Sequence, residues 1–526
     1  MRPLVTESFS NKAALGTGSF PTDGSAPTRT AAAASLTVRY DAATDSYTIT
    51  NGARSQTFRQ SDVTTQDAVQ RIYTRTAGST TDTLLLTEPG TSGALTYQYV
   101  GSGSWQRTVQ GASTVNATVD AFVYGAPTPA GNVPSSGSAG FAVDLIGTAG
   151  PTSYAGDGQL SVDFARGELL LDIEVNEIMD GGAVNPFAQR FSGNGAIASG
   201  NAFSGSFRLP FFEQYSGTFN GQFFGPASEE VGAAFFGTGT LPGSAIVGTI
   251  MGRRGGSATN TNLLNLNSDQ QFAARVTDIF LAEAISDKRP LDFFTPSRTA
   301  ATLHYDADTR SFRYQQAGAW DVTFEEPSRS ISPDGRFILF DAGGGQTLAL
   351  YRPGPDNSQL QLTYASFGAF RRNFDEPAFD RRGFGYDYFA YGITTAAMPT
   401  SGSASYSGIV VGQGVSSRAH YDLAGSTDLD VNFAGGGLTG TLSIAGVERQ
   451  LGRTVNFGTF AFTGAVDRLA ATLTGSSADG FGSIDGSFFG PAAVEFAATF
   501  AGFRGTDASL PGNIVHMGGA LVGKKD

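Results

Sequence analysis

Short runs of alternating apolar and polar residues recur along the whole chain. In LTVRYD, Leu36, Val38 and Tyr40 fall on one face and Thr37 and Arg39 on the other, the period-two signature of a half-buried strand. Turn formers at 41–45 and 306–309 each separate two such runs and predict hairpins. Asp306 and Asp308 also suggest a calcium loop, but too few oxygen ligands follow at the required spacing. Gly-x-Phe runs such as SGSFRLPFF, SGTFNGQFF and AAFFGTG, and later GTFAFTGAV, GSIDGSFF and EFAATFAG, predict antiparallel up-and-down barrels that bury their edges by closing. One segment breaks the pattern. Residues 268–286 place Phe272, Val276, Ile279 and Phe280 at helical spacing behind a Ser268/Gln271 capping box, which predicts a helix.

The pattern is written twice. Tyr40 in LTVRYDAATDSYTI matches Tyr305 in ATLHYDADTRSFRY at an offset of 265. Tyr99, Gly103, Trp105 and Arg107 match Tyr364, Gly368, Phe370 and Arg372 at the same offset, and NGQFFGPASEEVGAAFFG (220–237) matches DGSFFGPAAVEFAATFAG (485–502). Collinear blocks of this kind mark a duplicated unit. Pro/Gly/Ser-rich connectors at 126–140 and 393–404 divide each copy again. The expected all-β chain is therefore a flexible tether (1–34), an N-lobe handle (35–125) and barrel (126–252), an interlobe linker carrying the helix (253–298), and a C-lobe handle (299–392) and barrel (393–526).

Composition narrows the function. The 34 Lys and Arg against 47 Asp and Glu give a net charge of −13, which argues against nucleic acid as a partner because the phosphate backbone would be repelled. The chain has no Cys, so disulfides, thiolate metal sites and lipidated cysteines are excluded from the sequence as given. No apolar run of about 18 residues predicts a spanning helix. The three histidines, His304, His420 and His516, have no second His three or four residues away, and no HExxH, P-loop or GxSxG stands in the sequence. GTGTLPG (237–243) is read as a turn between strands. The chain is accordingly expected not to be an enzyme and to hold no metal. No cofactor is evident, although haem binding through His or Tyr stays open.

The duplicated GQFFGPASEE and GSFFGPAAVE motifs resemble those of the transferrin-binding protein B family of bilobed Gram-negative surface lipoproteins. The resemblance runs from about Leu36 to Gly523. It implies two lobes, each a β-rich handle followed by an eight-stranded barrel. It also implies capture of an extracellular ligand, an iron-carrying host protein or haem, for a TonB-dependent outer-membrane transporter. The family's lipid anchor needs an N-terminal Cys that this sequence lacks, so contact with a membrane would come only through an anchor absent from it; the expected location is the outer face of the outer membrane, or secretion. A structural or adhesive surface protein is the alternative. The motif residues Gly221, Phe224, Gly225, Pro226 and Glu230, with Gly486, Phe489, Gly490, Pro491 and Glu495, are assigned to barrel closure, Glu230 and Glu495 as hydrogen-bonding acids.

Binding chemistry is expected where the copies diverge. After the shared Arg107/Arg372 position the first copy is bland, whereas the second continues NFDEPAFDRRGFGYDYFAYG. Phe374, Phe379, Arg381, Arg382, Phe384 and Tyr386 crowd this stretch, with Tyr388 beyond them, and aromatics with Arg are enriched at interface hot spots. The competing reading turns the aromatics into the handle core and pairs the arginines with Asp375, Glu376, Asp380 and Asp387. A second candidate patch joins Phe187 and Arg190 to Phe211 and Phe212 in the first barrel.

Overall fold

The computed structural model describes residues 5–179, 182–256 and 258–526. The chain divides into two units, Met1–Ala258 and Thr259–Asp526. Each holds an open antiparallel sheet, the handle, followed by a closed barrel of eight strands. The barrels run from strand Ser138–Ala149 to Ala245–Arg254 and from Ser403–Val415 to Ile514–Lys525. Every strand pairs with its chain neighbour, and the last closes on the first, Leu145 opposite Ile250 and Val410 opposite Leu521. Inward positions are apolar and largely aromatic. Phe191 and Phe207 stack at 4.3 Å, with Phe235 edge-on to both, so side chains fill the first barrel's interior there as a packed core.

The expected helix at 268–286 is a strand, Gln270–Ala284. It pairs with Pro290–Asp306 on one side and with Arg381–Gly392 on the other. Phe272, Ala274 and Val276 face the handle core, whereas Ile279 and Leu281, of opposite parity, face the barrel. The strand alternates over residues 270–276 and is buried on both faces only toward its C-terminal end, so two apolar sets of opposite parity follow one another and imitate helical spacing. Two eight-residue or longer ladders then override the local capping signal.

The same element opens the first unit. Residues 7–34, expected as a tether, are the strands Glu7–Pro21 and Thr28–Ala34, paired with each other and, through the first, with Thr114–Gly125. Small residues suit this position because the strand belongs to the handle sheet and packs closely on the barrel, with Ala13 buried in the handle core and Ala14 against Ala234 and Val247. Each handle thus starts about 30 residues before its first obvious hairpin, at Glu7 and at Gln270.

Candidate binding surfaces

The repeated motif joins handle to barrel in both units. The buried Glu230 carboxylate accepts the backbone N–H groups of Gln98, Tyr99 and Val100 at 2.8, 2.7 and 3.0 Å. Glu495 accepts those of Thr363, Tyr364 and Ala365, each at 2.8 Å. A carboxylate with three such donors satisfies backbone groups that the handle strand cannot pair itself. Burial nonetheless pushes the Glu495 carboxyl above the usual range, against the lowering effect of these donors. Gly225 and Gly490 carry φ of +84° and +72°, and a Cβ would lie 2.7 and 2.4 Å from the rings of Tyr99 and Tyr364; both demands select glycine. Their carbonyls accept the Thr128 and Thr395 hydroxyls at 2.7 Å. Phe224 and Phe489 are buried beside equivalent bridges, to Pro127 and to Thr394. Pro226 accepts from Asn132 through its carbonyl, Pro491 opens a short 3-10 turn, and Gly221 and Gly486 lie in barrel strands.

The motif lies in a loop at one end of each barrel, and the alternate connections lie at the other end. In the first unit Met179 and the segments 182–188, 210–214 and 239–244 share that end. Phe187 and Phe212 are 76% and 85% exposed there, and Met179, Val184 and Leu241 are exposed at the same end. Alternation does not expose these residues; chain reversal does, since a turn has no second sheet to cover it. Arg190 begins the next strand and is ion-paired with Asp172. Phe211 turns inward instead, its ring 5.0 Å from that of Tyr154. Phe187, Arg190 and Phe212 therefore share one barrel end, and Phe211 supports it from below. Met179, Val184 and Leu241 escaped the sequence reading because single apolar residues in loops carry no periodic signal.

The second patch separates into two layers. Phe379 sits at a hairpin tip and is 77% exposed. Phe374 stacks on Phe280 at 6.2 Å, with the Arg381 guanidinium over it at 5.5 Å. Arg381 pairs with Glu376 at 2.9 Å and Arg382 with Asp375 at 2.6 Å, while Asp380 accepts from Ser286. Phe384 and Tyr386, expected at a contact surface, are buried between handle and barrel. Arg371 lies over both rings, 5.0 and 5.6 Å from their centroids, and Arg449 lies over Phe384 at 4.6 Å. Arg449 also clasps Glu283 on the handle at 2.5 Å and Asp422 on the barrel at 3.0 Å. These groups border a polar cleft of about 750 Å³.

His420 and His516 flank Phe293 from the barrel strands on either side of Ser403–Val415, and His304 lies apart on the handle. His304 pairs across strands with Gln271 and Arg313. His420 is buried 3.6 Å from Glu283, and neither imidazole nitrogen has a hydrogen-bond partner, so it offers no ligand to haem arriving from solvent. His516 stacks on Phe293 at 6.3 Å, and burial lowers its pKa. Among the described residues no group of three or more His, Asp or Glu is arranged to hold a metal ion.

Comparison with known proteins agrees with this architecture in one barrel. Residues 398–525 match the family described as the C-lobe and N-lobe beta barrels of Tf-binding protein B. No curated protein matches the chain. Among solved structures, the chain is similar to intact Ap-TbpB with its N and C lobes, at 14% identity over 97% of this chain and 94% of that one, with a TM-score of 0.24. It is also similar to a mutant transferrin-binding protein B from Haemophilus parasuis, at 15% identity over 82% and 83% of the two chains, TM-score 0.28. For the isotype 1 protein from serogroup B Neisseria meningitidis the identity is 14% over 82% and 85%, TM-score 0.24. The family match therefore falls on the second barrel, which is transferrin-binding protein B-like.

Proposed function

We propose that this chain is a non-enzymatic surface capture protein that binds an extracellular protein at the loop end of its first barrel and passes its cargo to a TonB-dependent transporter. The observation that carries the reading is the cluster of Phe187, Phe212, Met179, Val184 and Leu241, exposed on three loops at one barrel end. Exposed apolar residues gathered in one place mark an interaction surface, whereas scattered ones do not. The barrel beneath is a filled, closed cylinder, which suits rigid presentation of loops and leaves little room for chemistry inside. The capture role and the transporter partner follow the resemblance to transferrin-binding protein B, as does placement on the outer face of the outer membrane through a lipid anchor or after secretion. Among the described residues no helix is long and apolar enough to cross a membrane.

The test is binding of iron-loaded transferrin and of haemoglobin to the immobilised chain. Binding of either is expected, and Phe187→Ser with Phe212→Ser should weaken it at least 100-fold, because aromatic anchors dominate such interfaces, with the melting temperature unchanged. No binding to either protein, or equal binding by the double variant, overturns the assignment.

A further inference from the structure

Duplication gives each seam between handle and barrel an internal reference. Strand Thr114–Gly125 of the first unit corresponds to Arg381–Gly392 of the second, with Gly125 matching Gly392 and Phe122 matching Phe389. At this register Ala117, Val119 and Ala121 stand where the second unit has Phe384, Tyr386 and Tyr388. The neighbouring strand repeats the difference. Gly16 pairs with Val119 and Gly18 with Ala117, whereas Ile279 pairs with Tyr386 and Leu281 with Phe384. In the second unit the three rings stack in sequence, Phe384 on Tyr386 at 6.4 Å and Tyr386 on Tyr388 at 6.0 Å. They fill the seam.

In the first unit Ala14, Ala121, Ala234 and Val247 close part of the seam by direct packing, and beside them space stays open. One cavity of about 270 Å³ is bounded by Gly16, Ala117, Val119, Phe20, Val247 and Arg29. A second of about 350 Å³ also touches Val119 and Val247 and continues past Ala121. Both are grooves open to solvent on one side, and apolar pockets of about 150 Å³ already bind small aromatic molecules. Arg29 gives the first cavity one charged edge. It donates Nε to the Gly243 carbonyl at 3.0 Å and Nη1 to the Ala149 carbonyl at 2.8 Å. Among the described residues no carboxylate pairs with it. Its guanidinium is held in place by main-chain oxygens, which leaves its charge available to an incoming anion.

We propose that the first unit binds a small organic acid with an aromatic body in this seam, the acid on Arg29 and the rings between Val119 and Val247 where the second unit carries its own aromatic side chains. The site is separate from the loop end proposed for protein capture, so either stands without the other.

The test is fluorescence titration of the full chain with anilinonaphthalene sulfonate, an aromatic anion, and with phenylnaphthylamine, its uncharged relative. One saturable site per chain is expected for each probe. Ala117→Phe with Val119→Tyr, which copies the second unit, should abolish or weaken both at least tenfold. Arg29→Met leaves the apolar walls intact and should weaken the sulfonate about tenfold, as expected for loss of one hydrogen bond to a charged group, without changing the neutral probe. Unchanged sulfonate binding in either variant overturns the proposal. So does an equal loss of both probes in Arg29→Met, which would show an apolar cavity without acid recognition. If the filling variant fails to fold, the Arg29→Met comparison decides alone.

Discussion

The two units hold the same lock and different seams. Glu230 and Glu495 each accept three backbone N–H groups from the handle, yet a few strands away the first unit presents Gly16, Ala117 and Val119 where the second packs Ile279, Phe384 and Tyr386. A buried carboxylate with three donors cannot drift, because any neutral replacement strands at least one backbone donor. An apolar seam drifts freely, since many combinations of side chains exclude water about equally well. The lock therefore records what the fold needs, and the seam records where the copies took different tasks.

The largest effect is expected at the lock. Glu495→Ala and Glu230→Ala should each cost roughly 3–5 kcal/mol, the range for removing a charged partner shared by several buried polar groups. Denaturant unfolding gives the size, and hydrogen exchange followed by peptide assigns the loss to one unit. Equal costs would support one shared mechanism. A cost under about 1 kcal/mol in either unit would break the comparison by showing that the motif there is dispensable.

Next is the seam. Phe384→Ala removes a buried ring and should cost about 3–5 kcal/mol, whereas Ala117→Phe, at the matching place in the first unit, enters open space and should change stability by less than about 1 kcal/mol. Overpacking of the first unit, seen as a loss comparable to Phe384→Ala, would mean that its cavity closes in solution.

Much of this was legible in the sequence, and what was not has a physical cause. Closed barrels were readable because strands away from the handle have one dry face and one wetter face, so that Leu169, Leu171, Ile173 and Val175 repeat at period two. The motif was readable because its geometry admits only glycine at 225 and 490. The strand Gln270–Ala284 misled because its buried face changes parity after Val276 and its C-terminal end is buried on both faces, which interrupts the alternation. Residues 7–34 misled for the related reason that Gly, Ala and Thr facing an open seam look like a solvated tether. Phe384 and Tyr386 carried the composition of a contact surface, but composition does not say which side of a sheet is covered. Phe187 and Phe212 lie in turns, where exposure follows from topology.

A smaller effect concerns protons in the second handle. Asp387 is fully buried; burial pushes its carboxyl up to about 7, and Asp278 nearby adds to the rise while Arg372 opposes it. A carboxyl with a folded value above its unfolded one binds more protons in the folded state, so the stability it contributes is lost as pH rises from the unfolded range near 4 through the raised value. Stability of the second unit should therefore fall between about pH 4 and 7, and Asp387→Asn should flatten that slope. Urea midpoints measured across this window check it, and an identical slope in the variant would assign the titration to another group.

The smallest effect sharpens the contrast between exposed tips and buried seams. Phe379 and Phe374 flank one hairpin, yet Phe379 projects into solvent whereas Phe374 lies between Phe280 and Arg381. Phe379→Ser should shift stability by no more than about 0.5 kcal/mol, as surface substitutions do. Phe374→Ser should cost about 1 kcal/mol more, from lost stacking and cation–π contact at a half-exposed site. The difference in urea midpoint between the two variants measures this. Equal midpoints would mean that the Phe280–Phe374–Arg381 stack contributes nothing to folding, leaving the hairpin tip as a surface held only by its strands and free to reshape around a partner.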